Sequence, residues 1–189
     1  ALGEAFDKTA RLLNLGYPGG PQIEKCATKG NPNKYQFPMP LIHEKNCNFS
    51  FSGLKSSVAQ IVLNKKITEK FKCDVSASFQ KTISEILIKK TQKAVSMFND
   101  MRKKQKTTNI VVAGGVAANK FLRSSLTAME NEYNVQFFFP SLQLCTDNGA
   151  MIAYAGIERY EKNLFNKLNF KPRPRWPLDK KAIFMKGKR

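Results

Sequence analysis

Histidine is almost absent from this sequence: His43 is the only one. A lone imidazole in a polar loop has no partner for a metal site or a catalytic pair, so His43 reads as a solvated side chain. The cysteines help a metal no better. Cys26, Cys47, Cys73 and Cys145 are widely spaced, with no CxxC pair and no nearby histidine to complete a zinc site. Reduced thiols in a cytosolic-type compartment are the economical reading. No apolar run approaches the roughly 20 residues of a membrane span, and no signal peptide opens the chain. There is no initiator Met either: Ala1-Leu2-Gly3-Glu4 already keeps helical periodicity, which is the expectation for a segment of something longer.

Acids are scarce as well, and this shortage has a consequence. Against 14 Asp+Glu stand 32 Lys+Arg, a formal net charge of +18. That far exceeds what solubility needs, and a polyanionic partner such as a nucleic acid is the first inference. The competing account is Lys-rich drift spread over solvated faces. What the chain does have is material for a core: 42% apolar residues and 11% aromatics over 189 residues exclude disorder by composition.

Periodicity sets out the elements. Leu2, Phe6, Ala10 and Leu13 recur at helical spacing, predicting a helix over 1–13. Asp7 lies beside that stripe, with Gly3 one turn before it; the acid faces either a ligand hydroxyl or solvent. Gly16-Tyr17-Pro18-Gly19-Gly20-Pro21 is a rigid loop whose glycines let a ligand touch backbone or simply make a tight connection. A short helix over 22–28 follows, carrying Glu24. Residues 30–48 lack a period and read as an extended surface segment. Asn48-Phe49-Ser50-Phe51-Ser52-Gly53-Leu54-Lys55 alternates aromatic and small polar residues before a helix that Asn64 closes; Ser50, Ser52 and Lys55 either start that helix or meet phosphate. Lys65, Lys66, Lys70 and Lys72 form a basic connection to a long helix over 74–99. The stripe of that helix is Val75, Phe79, Ile83, Ile86, Leu87, Ala94 and Met97, with Lys81, Lys89, Lys90 and Lys93 mostly off it. Arg102, Lys103, Lys104 and Lys106 make a basic turn.

The clearest α/β unit comes next. Asn109-Ile110-Val111-Val112-Ala113 is a buried-strand run, Gly114-Gly115-Val116 a turn, and Ala118-Asn119 the start of a helix carrying Phe121, Leu122, Leu126 and Met129. A glycine pair at the carboxyl end of such a strand either lets a flat ligand lie on backbone, with Asn119 in reach, or is a plain turn. Val135 to Phe139 is the next strand. It stops at Pro140 and crosses Ser141–Leu144 to a helix whose first turn holds Thr146, Asp147 and Asn148. Asp147 there is either a helix cap or an oxygen ligand for a metal at the rim of a cleft. After Tyr160 the apolar period fades, and Lys171-Pro172-Arg173-Pro174-Arg175-Trp176-Pro177-Leu178 is an extended basic segment.

These motifs, in this order, carry a resemblance. Gly3-Glu4-Ala5-Phe6-Asp7-Lys8, Tyr17-Pro18-Gly19-Gly20-Pro21, Phe49-Ser50-Phe51-Ser52-Gly53-Leu54-Lys55, Val112-Ala113-Gly114-Gly115-Val116-Ala117-Ala118-Asn119, Cys145-Thr146-Asp147-Asn148-Gly149-Ala150 and Arg173-Pro174-Arg175-Trp176-Pro177-Leu178 together resemble the TsaD family, formerly called glycoprotease Gcp. The resemblance implies an α/β chain forming the C-terminal part of an actin-like ATPase fold (ASKHA, ribonuclease H-like) with a helical insertion. It divides the chain into a helical start (1–29), a mainly helical insertion (30–108), a nucleotide-binding core (109–162) and a basic tail (163–189).

The implied activity is transfer of threonylcarbamoyl from threonylcarbamoyl-adenylate to N6 of the adenosine next to the anticodon, in tRNAs that read codons beginning with A. By motif, Asp147 matches the aspartate ligand of a cleft metal, iron or zinc. Asp7, Gly20 and Asn119 match contacts to the substrate adenylate, Glu24 a ribose contact, and Gly114-Gly115 the adenosine-binding turn, with ATP as a further occupant of that cleft. The implied partners are tRNA, a TsaB-like paralogue and a TsaE-like ATPase, with no membrane, in the cytoplasm or alternatively a mitochondrion. The family's His-x-x-x-His metal pair does not occur here, so the expectation is a fragment that is inactive alone. The alternative is a non-catalytic remnant that binds tRNA or a partner.

Overall fold

A computed structural model of the chain describes residues 1–63, 65–102 and 107–172. The expectations placed on Asn64, Lys103, Lys104, Lys106, Arg173, Arg175 and Trp176 lie outside the described residues. Two compact units divide the chain, residues 1–147 and 148–189.

The first unit is built around one long helix. Helices α1 (Leu2–Leu12), α2 (Gly19–Ala27) and α3 (Ser52–Leu63) gather about α4 (Glu69–Met101). Phe79 is fully buried and meets Phe6 of α1 edge-on, ring centroids 5.4 Å apart, and Phe37 of the irregular segment at 6.2 Å. Ile23, Leu54, Val58, Val75, Ile83 and Ile86 complete this core. Burying side chains of this size contributes roughly 1.5–3 kcal/mol each, which fixes which faces turn inward.

Helix α4 differs from its predicted start and from its predicted buried face. The helix begins at Glu69, where the Thr68 hydroxyl accepts the Phe71 N–H at 3.2 Å, so Lys70 and Lys72 belong to its first turns and not to a connection. It also has no single stripe: Ser76, Ser78, Gln80, Thr82 and Ser84 are buried along with Val75, Phe79, Ile83 and Ile86, whereas Ala94 and Met97 at its far end are exposed. Small hydroxyls let other backbone come close. Ser78 accepts the Tyr35 N–H and donates to the Asn31 carbonyl, both at 3.1 Å, so the segment after α2 lies against α4 by hydrogen bonds instead of floating on the surface. Lys90 departs furthest from expectation. It is 2% exposed, with its ammonium donating to the Asn46 carbonyl at 2.9 Å.

The α/β unit forms at the far end of α4. β1 (Thr108–Val111) and β2 (Val135–Phe138) are parallel, in register from Thr108 opposite Val135 to Val111 opposite Phe138. Between them run a 3₁₀ turn (Gly115–Ala118), α5 (Lys120–Thr127) and the one-turn α6 (Glu130–Tyr133). Met129 therefore sits between two helices, and packs with Val95, Leu126, Val135 and Phe137 in a second core. Asn134, in the left-handed region at φ 50°, ends α6 and turns the chain into β2.

The second unit holds α7 (Gly149–Glu161), begun by the Asn148 side chain accepting the Met151 N–H at 3.0 Å. Its large apolar side chains Met151, Ile152, Tyr154 and Ile157 are all exposed. No described helix is long and apolar enough to cross a membrane.

Candidate functional site

The site begins where α1 meets α2. Phe6 fixes α1 in the core, which leaves Asp7 facing the first turn of α2. Its Oδ1 accepts the Gly19 N–H at 2.8 Å, placing a negative charge on one of the helix's unpaired N–H groups. The approach is so close that a Cβ on Gly19 would stand 2.5 Å from the Asp7 Cα and 2.7 Å from the Phe6 carbonyl oxygen. Gly19 is therefore glycine for packing. Gly20, the one singled out from sequence, meets nothing within 4 Å and opens onto space.

A second junction joins α2 to α5. Glu24 Oε1 accepts the Lys120 N–H at 2.7 Å, so its carboxylate sits on the first turn of α5. Asn119 caps the same helix: Oδ1 accepts the Leu122 N–H at 2.9 Å, while Nδ2 donates to Gln80 Oε1 at 2.8 Å. It is 6% exposed, and both ends of its amide are engaged in holding α5 to α4. Gln80 was invisible to sequence reasoning because only packing brings α4 to this point.

These junctions enclose a cavity of about 400 Å³ lined by Gly3, Asp7, Gly20, Glu24, Gly115 and Asn119 among others, with Thr146 at its edge. Five residues chosen from three stretches of the sequence thus line one hollow of a size that suits a nucleotide. Gly114 does not line it. With φ +90° it makes the turn out of β1, and lines a neighbouring apolar cavity of about 400 Å³ that shares Gly3, Gly115 and Val116 with the first.

Arg123 ties the turn to the loop behind it and was also missed. Its Nη2 donates to the Pro140 carbonyl at 2.8 Å and to Cys145 Sγ at 3.1 Å; its Nε donates to the Ala117 carbonyl, and the guanidinium lies 5.0 Å from the Phe139 ring centroid. One planar fork so fixes both the 3₁₀ turn and the approach to Thr146, a task that the point charge of lysine does not perform.

Asp147 is exposed, follows Thr146, and does not line the cavity. Nor does it cap α7, because Asn148 does. Among the described residues no three His, Cys, Asp or Glu side chains cluster to hold a metal. His43 is exposed, as a solvated side chain is.

Comparison with known proteins bears on the same residues. The family model described as TsaD, tRNA N6-adenosine threonylcarbamoyltransferase, matches residues 1–154. The chain belongs to the TsaD family. Proteins named tRNA N6-adenosine threonylcarbamoyltransferase from Rickettsia massiliae and Pelagibacter ubique are 52% and 51% identical to it, over 95% and 99% of this chain respectively. One from Rickettsia bellii is 48% identical over 95% of the chain. Each match spans 52% of the relative, so the chain covers about half the length of the TsaD proteins it resembles.

Proposed function

We propose that this chain forms one wall of the cleft of a tRNA N6-adenosine threonylcarbamoyltransferase, and that the cavity between α1, α2 and α5 takes the nucleotide end of threonylcarbamoyl-adenylate. On this reading the chain is the C-terminal part of an actin-like fold, with residues 30–108 as its helical insertion and 109–162 as its nucleotide-binding core. The observation that carries it is the convergence of Asp7, Gly20, Glu24, Gly115 and Asn119 on one cavity.

The reaction is acyl transfer. The N6 amine of the tRNA adenosine attacks the carbamoyl carbonyl, the bond to the phosphate oxygen breaks, AMP leaves, and N6 loses a proton. The residues of this chain bind and orient. Asp7 and Glu24 already accept backbone N–H groups, so they hold the walls in place and leave unbonded oxygen lone pairs for ribose hydroxyls. Gly20 and Gly115 expose backbone without a side chain in the way.

The family also implies a divalent metal, iron or zinc, on Asp147. The donor set here does not fit one: Asp147 offers a single exposed carboxylate, whereas a transition metal takes about three or four protein donors. No step is assigned to a metal held by this chain.

Calorimetric titration of AMP into the chain tests the cavity. Saturable binding is expected, with Gly20→Val, whose side chain enters the hollow, weakening it at least tenfold while leaving the circular dichroism unchanged. Unaltered binding in that variant refutes the assignment. The second reading, a remnant that binds tRNA or a partner, has its support in the net charge of +18 and the exposed apolar residues of α7. Supplying the upstream half of the Pelagibacter relative in trans separates the two. Threonylcarbamoyl transfer to tRNA, lost in Gly20→Val, supports the transferase; tRNA binding without transfer supports the remnant. A TsaB-like paralogue and a TsaE-like ATPase are the partners we expect, with ATP as another cleft occupant, in the cytoplasm or alternatively a mitochondrion.

A further inference from the structure

We propose that Cys26 and Cys73 are a modification site, closing reversibly to a disulfide that staples α2 to α4. Their sulfurs lie 3.1 Å apart although the residues are 47 positions apart in sequence, and all four cysteines are free thiols. The backbones on both sides are already fixed. A Cβ on Gly30, just beyond α2, would fall 1.9 Å from the Cys73 carbonyl oxygen, and the Asn31 N–H is donated to Asp74 Oδ1 at 2.7 Å. The thiols are thus held face to face by contacts that owe nothing to sulfur, and closure moves each sulfur by well under an ångström or so to reach the covalent distance of about 2.05 Å. No third donor joins them, which excludes a metal clip among the described residues. The other two cysteines lack such a mate: Cys47 Sγ lies 3.6 Å from Met97 Sδ, and Cys145 is held by Arg123.

Cys26 is half-buried and Cys73 is 8% exposed, so the oxidant enters at Cys26. The oxidant is a small-molecule disulfide. The Cys26 thiolate attacks one sulfur of glutathione disulfide and releases one glutathione thiolate. Cys73 loses its proton and attacks Cys26 Sγ, releasing the second. Two electrons pass from the protein thiols to the glutathione disulfide, and two glutathione molecules are the product. Burial, then the hydrogen bond with Cys73, pushes the Cys26 thiol up to about 11. Of the α4 groups that act on it, Ser76 works the other way, while the charge of Glu69 adds to the rise. The thiolate is scarce near neutrality, so the staple closes slowly there, and about tenfold faster for each unit of pH up to about 10.

The test incubates the folded chain with millimolar glutathione disulfide at pH 7, 8 and 9, followed by intact mass, peptide mapping and thermal unfolding. The expected product is about 2 Da lighter, links the Cys26 and Cys73 peptides, forms faster with each pH step, unfolds roughly 10 °C higher because a long loop is closed, and reverts with dithiothreitol. Cys73→Ser should stop at a glutathione adduct on Cys26, about 305 Da heavier. Cys26→Ser, at the more exposed position, should form no link. A link through Cys47 or Cys145, closure that requires urea, or a linked chain that unfolds no higher than the reduced one overturns the proposal.

Discussion

Gly19 offers the sharpest test of how the α1–α2 junction is made. Replacing it with alanine puts a Cβ 2.5 Å from the Asp7 Cα, where ordinary contact needs about 3.5 Å, so α2 must retreat by roughly 1 Å. The obstacle is backbone on a helix locked by Phe6, so it cannot swing aside. Overpacking of this kind costs about 1–3 kcal/mol. The retreat also stretches the 2.8 Å bond from Gly19 N–H to Asp7 Oδ1, a hydrogen bond to a charged acceptor contributing about 1.5–3 kcal/mol. Alanine recovers less than about 1 kcal/mol in helix propensity at a first turn. The net loss expected is about 2–4 kcal/mol, a fall in unfolding midpoint of roughly 5–15 °C for a chain of this size. Urea unfolding followed by circular dichroism measures it, with Gly20→Ala as the control, because a Cβ there meets nothing. In an Asp7→Ala background the cost of Gly19→Ala should shrink, since the bond is already gone. Equal stability of Gly19→Ala and Gly20→Ala, within about 0.5 kcal/mol, refutes the close-approach argument.

Three further outcomes follow from other contacts. Asn119→Ala removes the α5 cap, worth about 1 kcal/mol, and leaves the buried Gln80 amide without its partner at a further 1–3 kcal/mol or so, a loss to be read by urea unfolding. The Lys70 ammonium, and with it the Asn31 N–H, hold the Asp74 carboxyl below the usual carboxylate range against the opposing effect of burial. A depressed folded value means stability that is full above about pH 4 and lost as pH falls through the folded value, so acid titration of the melting midpoint should steepen there and Asp74→Asn should flatten it. Phe79→Ala empties the centre of the first core and should cost about 3–5 kcal/mol by the same unfolding assay.

What the sequence determined alone was whatever depends on neighbours along the chain. The Val-Ile run before Gly114, the periodic apolar positions of α1, the helix start at Asn119, and the order of the motifs follow from short-range sterics and spacing. They sufficed to place the βαβ unit and the family. The same logic failed on α4, where a period of 3.6 finds one buried face but is silent when small hydroxyl residues let a helix be covered on several sides.

The site itself was chosen by tertiary structure. Asp7 meets Gly19, Glu24 reaches the Lys120 N–H, Asn119 finds Gln80, and Cys26 lies against Cys73. These partners are 12 to 96 positions apart. No local propensity encodes such a pairing. It exists only once burial of Phe6, Phe79 and their neighbours has decided which helix faces touch, because a hydrogen bond or a thiol pair acts over about 3 Å and is too short in range to choose its own partner.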